Sequence, residues 1–295
     1  MRIVVTGRQG QVVRSLVERS TANDVEVVPI GRPELDLAAP AEEIAAALAS
    51  ARPDVIVSAA AYTQVDKAET EREEAFAVNQ RGPTAIARAA RVLGAPLIHV
   101  STDYVFDGSK STPYTEEDET HPAGVYGASK LSGEQAVLAE HGGTVVLRTA
   151  WVYSPFGSNF VKTMLRLAGD RDEISVVADQ RGNPTSALDI ADGIVRVAAN
   201  LRASADTNLR GIFHMTGAGD ASWAEFAEAI FAASAELGGP VAAVRHISAV
   251  DYPTPARRPA NSRLDAAKLA AVHGVALPDW RLSLKHVVAR LANAG

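Results

Sequence analysis

The sequence predicts an α/β protein with a doubly wound parallel sheet and a smaller C-terminal substrate-binding region. Three observations predict it. Short apolar, β-branched runs alternate with alanine-rich stretches up to Thr149, the pattern of a parallel sheet covered by helices on both faces. The first run ends in a turn carrying two glycines, Thr6-Gly7-Arg8-Gln9-Gly10-Gln11. Beyond Thr149 the rhythm changes to shorter strand candidates separated by proline-bearing loops.

Taken in order, Ile3 to Thr6 reads as the first strand and the glycine turn opens a helix through Leu16 and Val17. Val25 to Ile30 and Val55 to Ser58 are the next two strands. From about Glu71 to Leu93, Ala75, Phe76, Val78, Ala85, Ile86, Ala89 and Leu93 recur at helical spacing, which predicts one long helix stopped by Gly94. Leu97 to Ser101 and Val145 to Thr149 complete the main strand set. In the second half, Ile174 to Val177, Ile212 to Met215 and Val244 to Ile247 are strand candidates, with Pro155, Pro184, Pro253, Pro255 and Pro259 in the loops. The expected division is a dinucleotide-binding domain over residues 1–150 and a mainly substrate-binding region over 151–295, partly interleaved with the sheet.

Composition narrows the function classes. The 295 residues allow a sizeable core, and with 47% hydrophobic residues no stretch approaches the ~18 apolar residues of a membrane span. Met1 to Gly7 runs straight into a strand without the apolar core of a signal peptide, so a cytoplasmic location is expected. The absence of cysteine removes disulfides, thiolate nucleophiles and cysteine zinc sites. None of the seven histidines falls in an HExxH pattern, and no metal site is expected. The net charge of -6, from 29 basic and 35 acidic residues, gives no electrostatic support for a nucleic-acid partner. The acidic run Glu116 to Glu119 reads as a solvated face.

Glycines at a strand-to-helix turn let the backbone approach a pyrophosphate, and the free N–H groups and dipole of the helix N-terminus favour an anion there. A glycine pair also has a purely structural reading, as a tight turn. The position of the pair, after the first strand and before the first helix, favours a Rossmann-type dinucleotide site at Gly7 and Gly10. Val13 replaces the third glycine of that motif. Strand two ends at Ile30-Gly31-Arg32 with no carboxylate to accept ribose hydroxyls. Arg32, with Arg8, therefore points to NADPH over NADH, although a solvated loop arginine reads the same way. Asp36 is a candidate cap for the adenine amino group, or simply an acidic residue at the approach to a helix.

Tyr126 and Lys130 stand four residues apart in Val-Tyr-Gly-Ala-Ser-Lys, so on a helix they share one face. A phenol beside an ammonium is a tunable proton donor, and Lys130 is expected to lower the Tyr126 pKa. Thr102 follows the fourth strand, where ligands bind in open parallel sheets, and its hydroxyl can hold a carbonyl oxygen or Tyr126. Individually the three read as a strand-ending threonine, an interfacial tyrosine and a solubilising lysine. As a set they describe a carbonyl reductase. Trp151, just beyond the fifth strand, offers a flat apolar ring to cover one face of a bound ligand, or packs as a core tryptophan. Asn159 and Arg258 are candidates to hold an anionic group of a ligand, a diphosphate if the ligand is a nucleotide, or to fix loops.

These segments together resemble an extended short-chain dehydrogenase/reductase. The shared features are TGxxGQV, Ser58 to Ala61, Val78-Asn79, the run from Ser101 to Phe106, and YxxxK. More narrowly, nearly the whole length is similar to the dTDP-4-dehydrorhamnose reductase family, through Arg52 to Val57, Ala61 to Glu69, Arg148 to Tyr153, Asp179 to Thr185 and Tyr252 to Pro259. The resemblance implies reduction of the 4-keto group of dTDP-4-dehydro-6-deoxy-L-mannose to dTDP-L-rhamnose, with NADPH, or possible use of NADH.

By the same resemblance Tyr126 is the proton donor, Lys130 its partner and Thr102 the tuning hydroxyl. Gly10, Gln11, Val12, Asp36, Leu37, Ala61, Tyr62, Thr63 and Val100 fall where the family contacts cofactor; Tyr62 replaces a histidine common there. Thr102, Asp103, Tyr104 and Trp151 fall where it holds the dTDP-sugar. Family members that dimerise through magnesium use glutamates whose places are taken here by Arg14 or Ser15 and Leu188. Neither metal nor dimer is carried over, and the expectation is a monomer or weak dimer. Two other readings remain: a catalytically silent regulatory subunit that keeps the dinucleotide fold, and a nucleotide-sugar epimerase or dehydratase.

Overall fold

The structure is a computed structural model, and it describes residues 1–21 and 25–293. Its centre is a six-stranded, wholly parallel sheet in the order β10-β5-β4-β3-β1-β2. Strands β1 (Arg2–Thr6), β2 (Glu26–Ile30), β3 (Val55–Ser58), β4 (Leu97–Thr102) and β5 (Thr144–Thr149) lie within a residue of the runs that predict them. The chain direction reverses sides between β1 and β3, which opens a crevice at the carboxyl ends of the strands.

Successive strand residues point to opposite faces, so each strand feeds two cores. Ile3 and Val5 pack with Val13 and Leu16 of α1 (Gln11–Ser20) and with Ile190, Ile194 and Val197 of a later helix, α8 (Ala187–Ala203). Val4 and Ile56 face Ile44 and Leu48 of α2 (Ala41–Ala51) and Ile86 and Ala90 of α5 (Gly82–Leu93). Val13, in the place of the motif's third glycine, is only 2% exposed and belongs to the first of these cores.

The single helix expected over residues 71–93 is three pieces. After the short α3 (Val65–Ala68), α4 (Arg72–Phe76) runs into one turn of π-helix, Ala77–Arg81, before α5 resumes. Two residues explain the slack turn. Pro83 has no N–H to donate to the carbonyl of Asn79, four residues earlier. The Asn79 side chain, fully buried, accepts from Tyr62 N (2.8 Å) and donates to Tyr62 O (3.0 Å) and Ser129 Oγ (2.9 Å). Gly94, with φ 65°, ends α5 as expected.

Helix α6 (Val125–Glu140) crosses between β4 and this π-turn. It gets close because of two glycines: a Cβ on Gly127 would lie 2.1 Å from Tyr104 O, and one on Gly133 would lie 2.1 Å from Asn79 O.

The second half contains the parallel pairs β6 (Val152–Tyr153) with β9 (Thr185–Ser186), and β7 (Glu173–Val177) with β12 (Ala243–Ile247); β8 (Arg181–Gly182) pairs with β11 (Ala221–Ser222) antiparallel. A third core forms where Val161 and Met164 of α7 (Phe160–Ala168) meet Phe226 and Ile230 of α9 (Trp223–Ala235) and Leu284 and Val287 of α11 (Trp280–Ala292). Helix α8 (Ala187–Ala203) and strand β10 (Gly211–His214) belong to the central sheet and its α1 face, and α10 (Ala267–His273) packs beside β10. No helix of the described residues is long and apolar enough to cross a membrane.

Candidate active site

The turn between β1 and α1 sets one end of the site. Gly7 has φ 101°, a conformation a side chain would strain, and its N–H donates to Ile30 O at 2.6 Å. At the neighbouring Gly31, a Cβ would come within 3.3 Å of Gly7 Cα. Gly10 caps α1 without a side-chain hydrogen bond, so the first N–H groups of the helix face the crevice uncapped. This cradle of bare backbone fits a pyrophosphate. Thr6 Oγ1 accepts from Ala59 N and Ala60 N, both 3.1 Å, and so holds the carboxyl ends of β1 and β3 together beneath it.

From this turn a cavity of about 560 Å³ runs along the strand ends. Its wall gathers Gly7, Gly10, Gln11, Val12, Ala61, Thr63, Val100, Thr102, Asp103, Tyr104, Tyr126, Lys130 and Trp151. Gln11 ties the turn to the second half: its amide donates to Val152 O (3.3 Å) and its Oε1 accepts from Ser154 Oγ (2.8 Å) and Asn159 Nδ2 (2.9 Å). The Asn159 side chain is thus spent on the loop and on capping α7 through Lys162 N. It fixes a loop, one of its two expected roles.

Four expected cofactor residues stand off this wall. Arg32 is 71% exposed and pairs with Asp36 at 3.1 Å, while the Asp36 carboxylate also accepts from Ala38 N. Asp36 therefore closes its own turn here. Leu37 is buried in the α2–α5 core; it also borders a separate cavity of about 400 Å³ with Gln80, Arg81 and Arg88. The Tyr62 hydroxyl donates to Glu71 at 2.5 Å, directed away from the main cavity, and the Tyr62 backbone is held by Asn79. Arg8, expected beside Arg32, pairs with Glu34 at 2.5 Å and reaches Gly31 O. Both arginines flank the tip of β2.

The proton-transfer set converges. Thr102 Oγ1 donates to Asp103 Oδ1 (2.9 Å) and accepts from Tyr104 N (3.2 Å). Burial pushes the Tyr126 phenol up to about 12; the Thr102 hydroxyl pulls the other way and the Asp103 carboxylate adds to the rise. Burial also pushes Asp103 up to about 6, against the Ser262 and Thr102 hydroxyls. Lys130 Nζ donates to Val100 O at 2.7 Å, and burial lowers its pKa to about 8, opposed by Glu134.

Lowering of the Tyr126 pKa by Lys130 is not what this arrangement delivers. The ammonium is turned onto the strand carbonyl, and the opposing influence on the phenol is Thr102. The phenol consequently holds its proton at neutral pH, the state a proton donor needs.

Trp151 carries a positive φ of 47° and stacks on Trp223, with ring centroids 3.5 Å apart and planes 6° from parallel. Trp223 lines a second cavity of about 940 Å³ bounded by α7, β7, β12 and the 249–258 segment. Arg171, Arg245, Arg257 and Arg258 border it; Arg258 bonds Asp66 through both terminal nitrogens (3.1 and 2.8 Å). Trp223 and the Asn79 hub were missed from the sequence. Val78-Asn79 was visible as a motif, but Trp223 carried no local signal.

A doubly wound sheet with a bare glycine cradle, and a threonine, tyrosine and lysine on one cavity wall, defines the class of nicotinamide-dependent short-chain reductases. A family model described as the RmlD substrate binding domain matches residues 1–293. A dTDP-4-dehydrorhamnose reductase of Sinorhizobium fredii is 52% identical, covering 98% of this chain and 97% of that protein. Among solved structures, a dTDP-4-dehydrorhamnose reductase of Clostridium acetobutylicum superposes with a TM-score of 0.91 at 37% identity, covering 99% of each chain. One from Bacillus anthracis, in complex with NADP, gives 0.90 at 35% identity over 98% of this chain and 99% of its own. The chain belongs to the dTDP-4-dehydrorhamnose reductase family.

Proposed function

We propose that the chain reduces the 4-keto group of dTDP-4-dehydro-6-deoxy-L-mannose to give dTDP-L-rhamnose, with Tyr126, Lys130 and Thr102 as its chemical centre. The observation that carries this reading is the meeting of those three side chains on one cavity wall that continues to the glycine cradle. When bound, a reduced nicotinamide would supply a hydride, two electrons and one hydrogen nucleus, to the carbonyl carbon. Tyr126 gives its proton to the carbonyl oxygen as the C=O π bond breaks, so the product gains one C–H and one O–H bond. Thr102 holds that oxygen and steadies the negative charge that develops on it. Lys130, held on Val100 O, would orient the cofactor's ribose.

Gly7, Gly10, Gln11 and Val12 support a pyrophosphate at the N-terminus of α1, with Ala61, Thr63 and Val100 continuing the cofactor wall. Arg32 and Arg8 at the tip of β2 favour a 2′-phosphate and hence NADPH, and NADH remains usable through the same cradle. Thr102, Asp103, Tyr104 and Trp151 surround the hexose, with the Trp151 ring as a flat apolar cover. The larger, arginine-bordered cavity suits the nucleoside diphosphate. The first 150 residues supply the cofactor half and the rest mainly the substrate half, in a cytoplasmic protein that works as a monomer or weak dimer.

The test follows loss of reduced-nicotinamide absorbance when the dTDP-4-keto sugar is added. Wild-type protein should consume NADPH in step with product. Tyr126→Phe should lose about 10²–10⁴-fold in turnover while still binding NADPH. No consumption by the wild-type chain would leave a silent dinucleotide-binding scaffold as the better reading.

A further inference from the structure

Besides Tyr126 and Lys130, helix α6 carries on the same face a buried carboxylate that the proposed chemistry leaves unused. Tyr126, Lys130 and Glu134 follow one another at four-residue intervals and so share a face. Three consecutive residues of β4 meet them. Val100 O accepts from Lys130 Nζ at 2.7 Å, the Ser101 hydroxyl donates to Glu134 Oε1, and the Thr102 hydroxyl acts on the Tyr126 phenol.

Glu134 is 1% exposed, and Arg148 of β5, 2% exposed, clasps it from the far side. Arg148 Nε reaches both carboxylate oxygens (3.0 and 3.1 Å) and Nη2 reaches Oε2 (2.7 Å). A pair buried this deeply gains little net stability over apolar residues of the same size, because both ions leave water. Its position, one turn from Lys130, gives it another use.

We propose that Glu134 is a positioning residue for the reduction: it pins α6 to β4 in the register that brings Tyr126 and Lys130 beside Thr102, and it supplies the counter-charge that keeps the buried Lys130 an ammonium. The inference rests on the reductase reading given above. The other ionisable groups around Lys130 do not provide that counter-charge. His99 of β4 is fully buried beside it, kept neutral by burial and by the lysine's own charge, with Nδ1 3.1 Å from Ser58 Oγ. Asp103 acts on Tyr126, and Arg148, a cation bonded to Glu134, carries the wrong sign. The π-turn against α6 contributes the uncharged Asn79. Among the described residues, Glu134 is the charged group that opposes the loss of the Lys130 proton that burial favours.

The experiment compares the full chain with Glu134→Gln, with Glu134→Gln/Arg148→Met, which also removes the arginine that the first variant would leave without its carboxylate, and with Glu134→Asp. Competitive labelling with acetic anhydride across a pH series, read by mass spectrometry on the peptide containing Lys130, gives the titration midpoint of that amine without reference to turnover. The midpoint should fall by roughly 0.5 pH or more in both Gln variants and return towards wild type in Glu134→Asp. The basic limb of kcat/KM in the NADPH assay should move with it. A double variant that folds normally and keeps the wild-type Lys130 midpoint overturns the proposal. If the midpoint moves and the kcat/KM limb does not, the coupling of Glu134 to Lys130 stands and the part given to Lys130 in the reaction falls.

Discussion

At the level of single residues, the site depends on burial more than on charge. The phenol of Tyr126 is held near 12, so it enters the reaction protonated, as a proton donor must; the sequence placed an ammonium beside it and so expected a lowered pKa where the structure raises it. That error has a physical origin. Spacing along a helix shows that two side chains share a face, but not that a strand carbonyl such as Val100 O will claim one of them. Arg32 poses the opposite case. It lies exposed at the end of β2, paired only with Asp36 across 3.1 Å, and an exposed pair of this kind is worth roughly 0–1 kcal/mol. A 2′-phosphate can therefore take Arg32 from Asp36 at small cost. Arg32→Ala should raise KM for NADPH by about tenfold or more, a loss of roughly 1.4 kcal/mol, with little change in KM for NADH. Equal changes for the two cofactors would remove the arginine from the selectivity argument.

Secondary-structure elements were legible where their composition was uniform and illegible where a polar residue had to be satisfied inside. The β-branched runs located all five strands of the first half, because only a covered parallel sheet accommodates such runs. The long helix after β3 was legible as a helix, and its π-turn was not. The signals were present as Asn79, Pro83 and, fifty-four residues after Asn79, Gly133, but only the fold brings them together. An extra residue in a helical turn is a recurrent feature of functional sites, and here it swings Asn79 into position to hold the backbone of Tyr62 on one side and α6 on the other. Gly133→Ala places a methyl 2.1 Å from Asn79 O. It should cost about 1–3 kcal/mol by overpacking, read as a lower thermal midpoint, and it should reduce turnover more than NADPH binding because α6 carries Tyr126 and Lys130. An alanine variant as stable and active as wild type would show that the two helices can separate freely.

For the molecule as a whole, ionisable groups sealed between layers set how it responds to acid. His214 of β10 is fully buried, and burial, reinforced by Arg148, lowers its pKa to about 3. Once unfolded, the same histidine titrates near ~6.5. Between those values the unfolded chain binds a proton that the folded chain refuses, so stability is fully present above about pH 6.5 and drains away as the pH falls. His99, also buried and shifted down, acts in the same direction. His214→Gln should therefore flatten the fall in thermal midpoint between about pH 7 and pH 5 relative to wild type. A variant whose midpoint falls as steeply as wild type's would exclude His214 as a contributor.

The central sheet takes its last strand from residues 211–214, far beyond the point where the chain seems to change character. Strand β5, buried along its whole length, has β10 as its outer neighbour. A chimera that grafts a foreign C-terminal half at residue 150 would ask a borrowed strand to complete the host's hydrogen-bond ladder, and a chain ended there would leave that ladder bare and ready to pair with another molecule. Recombinants seeking a new sugar preference should therefore keep α8 and β10 with the host and exchange the material on either side.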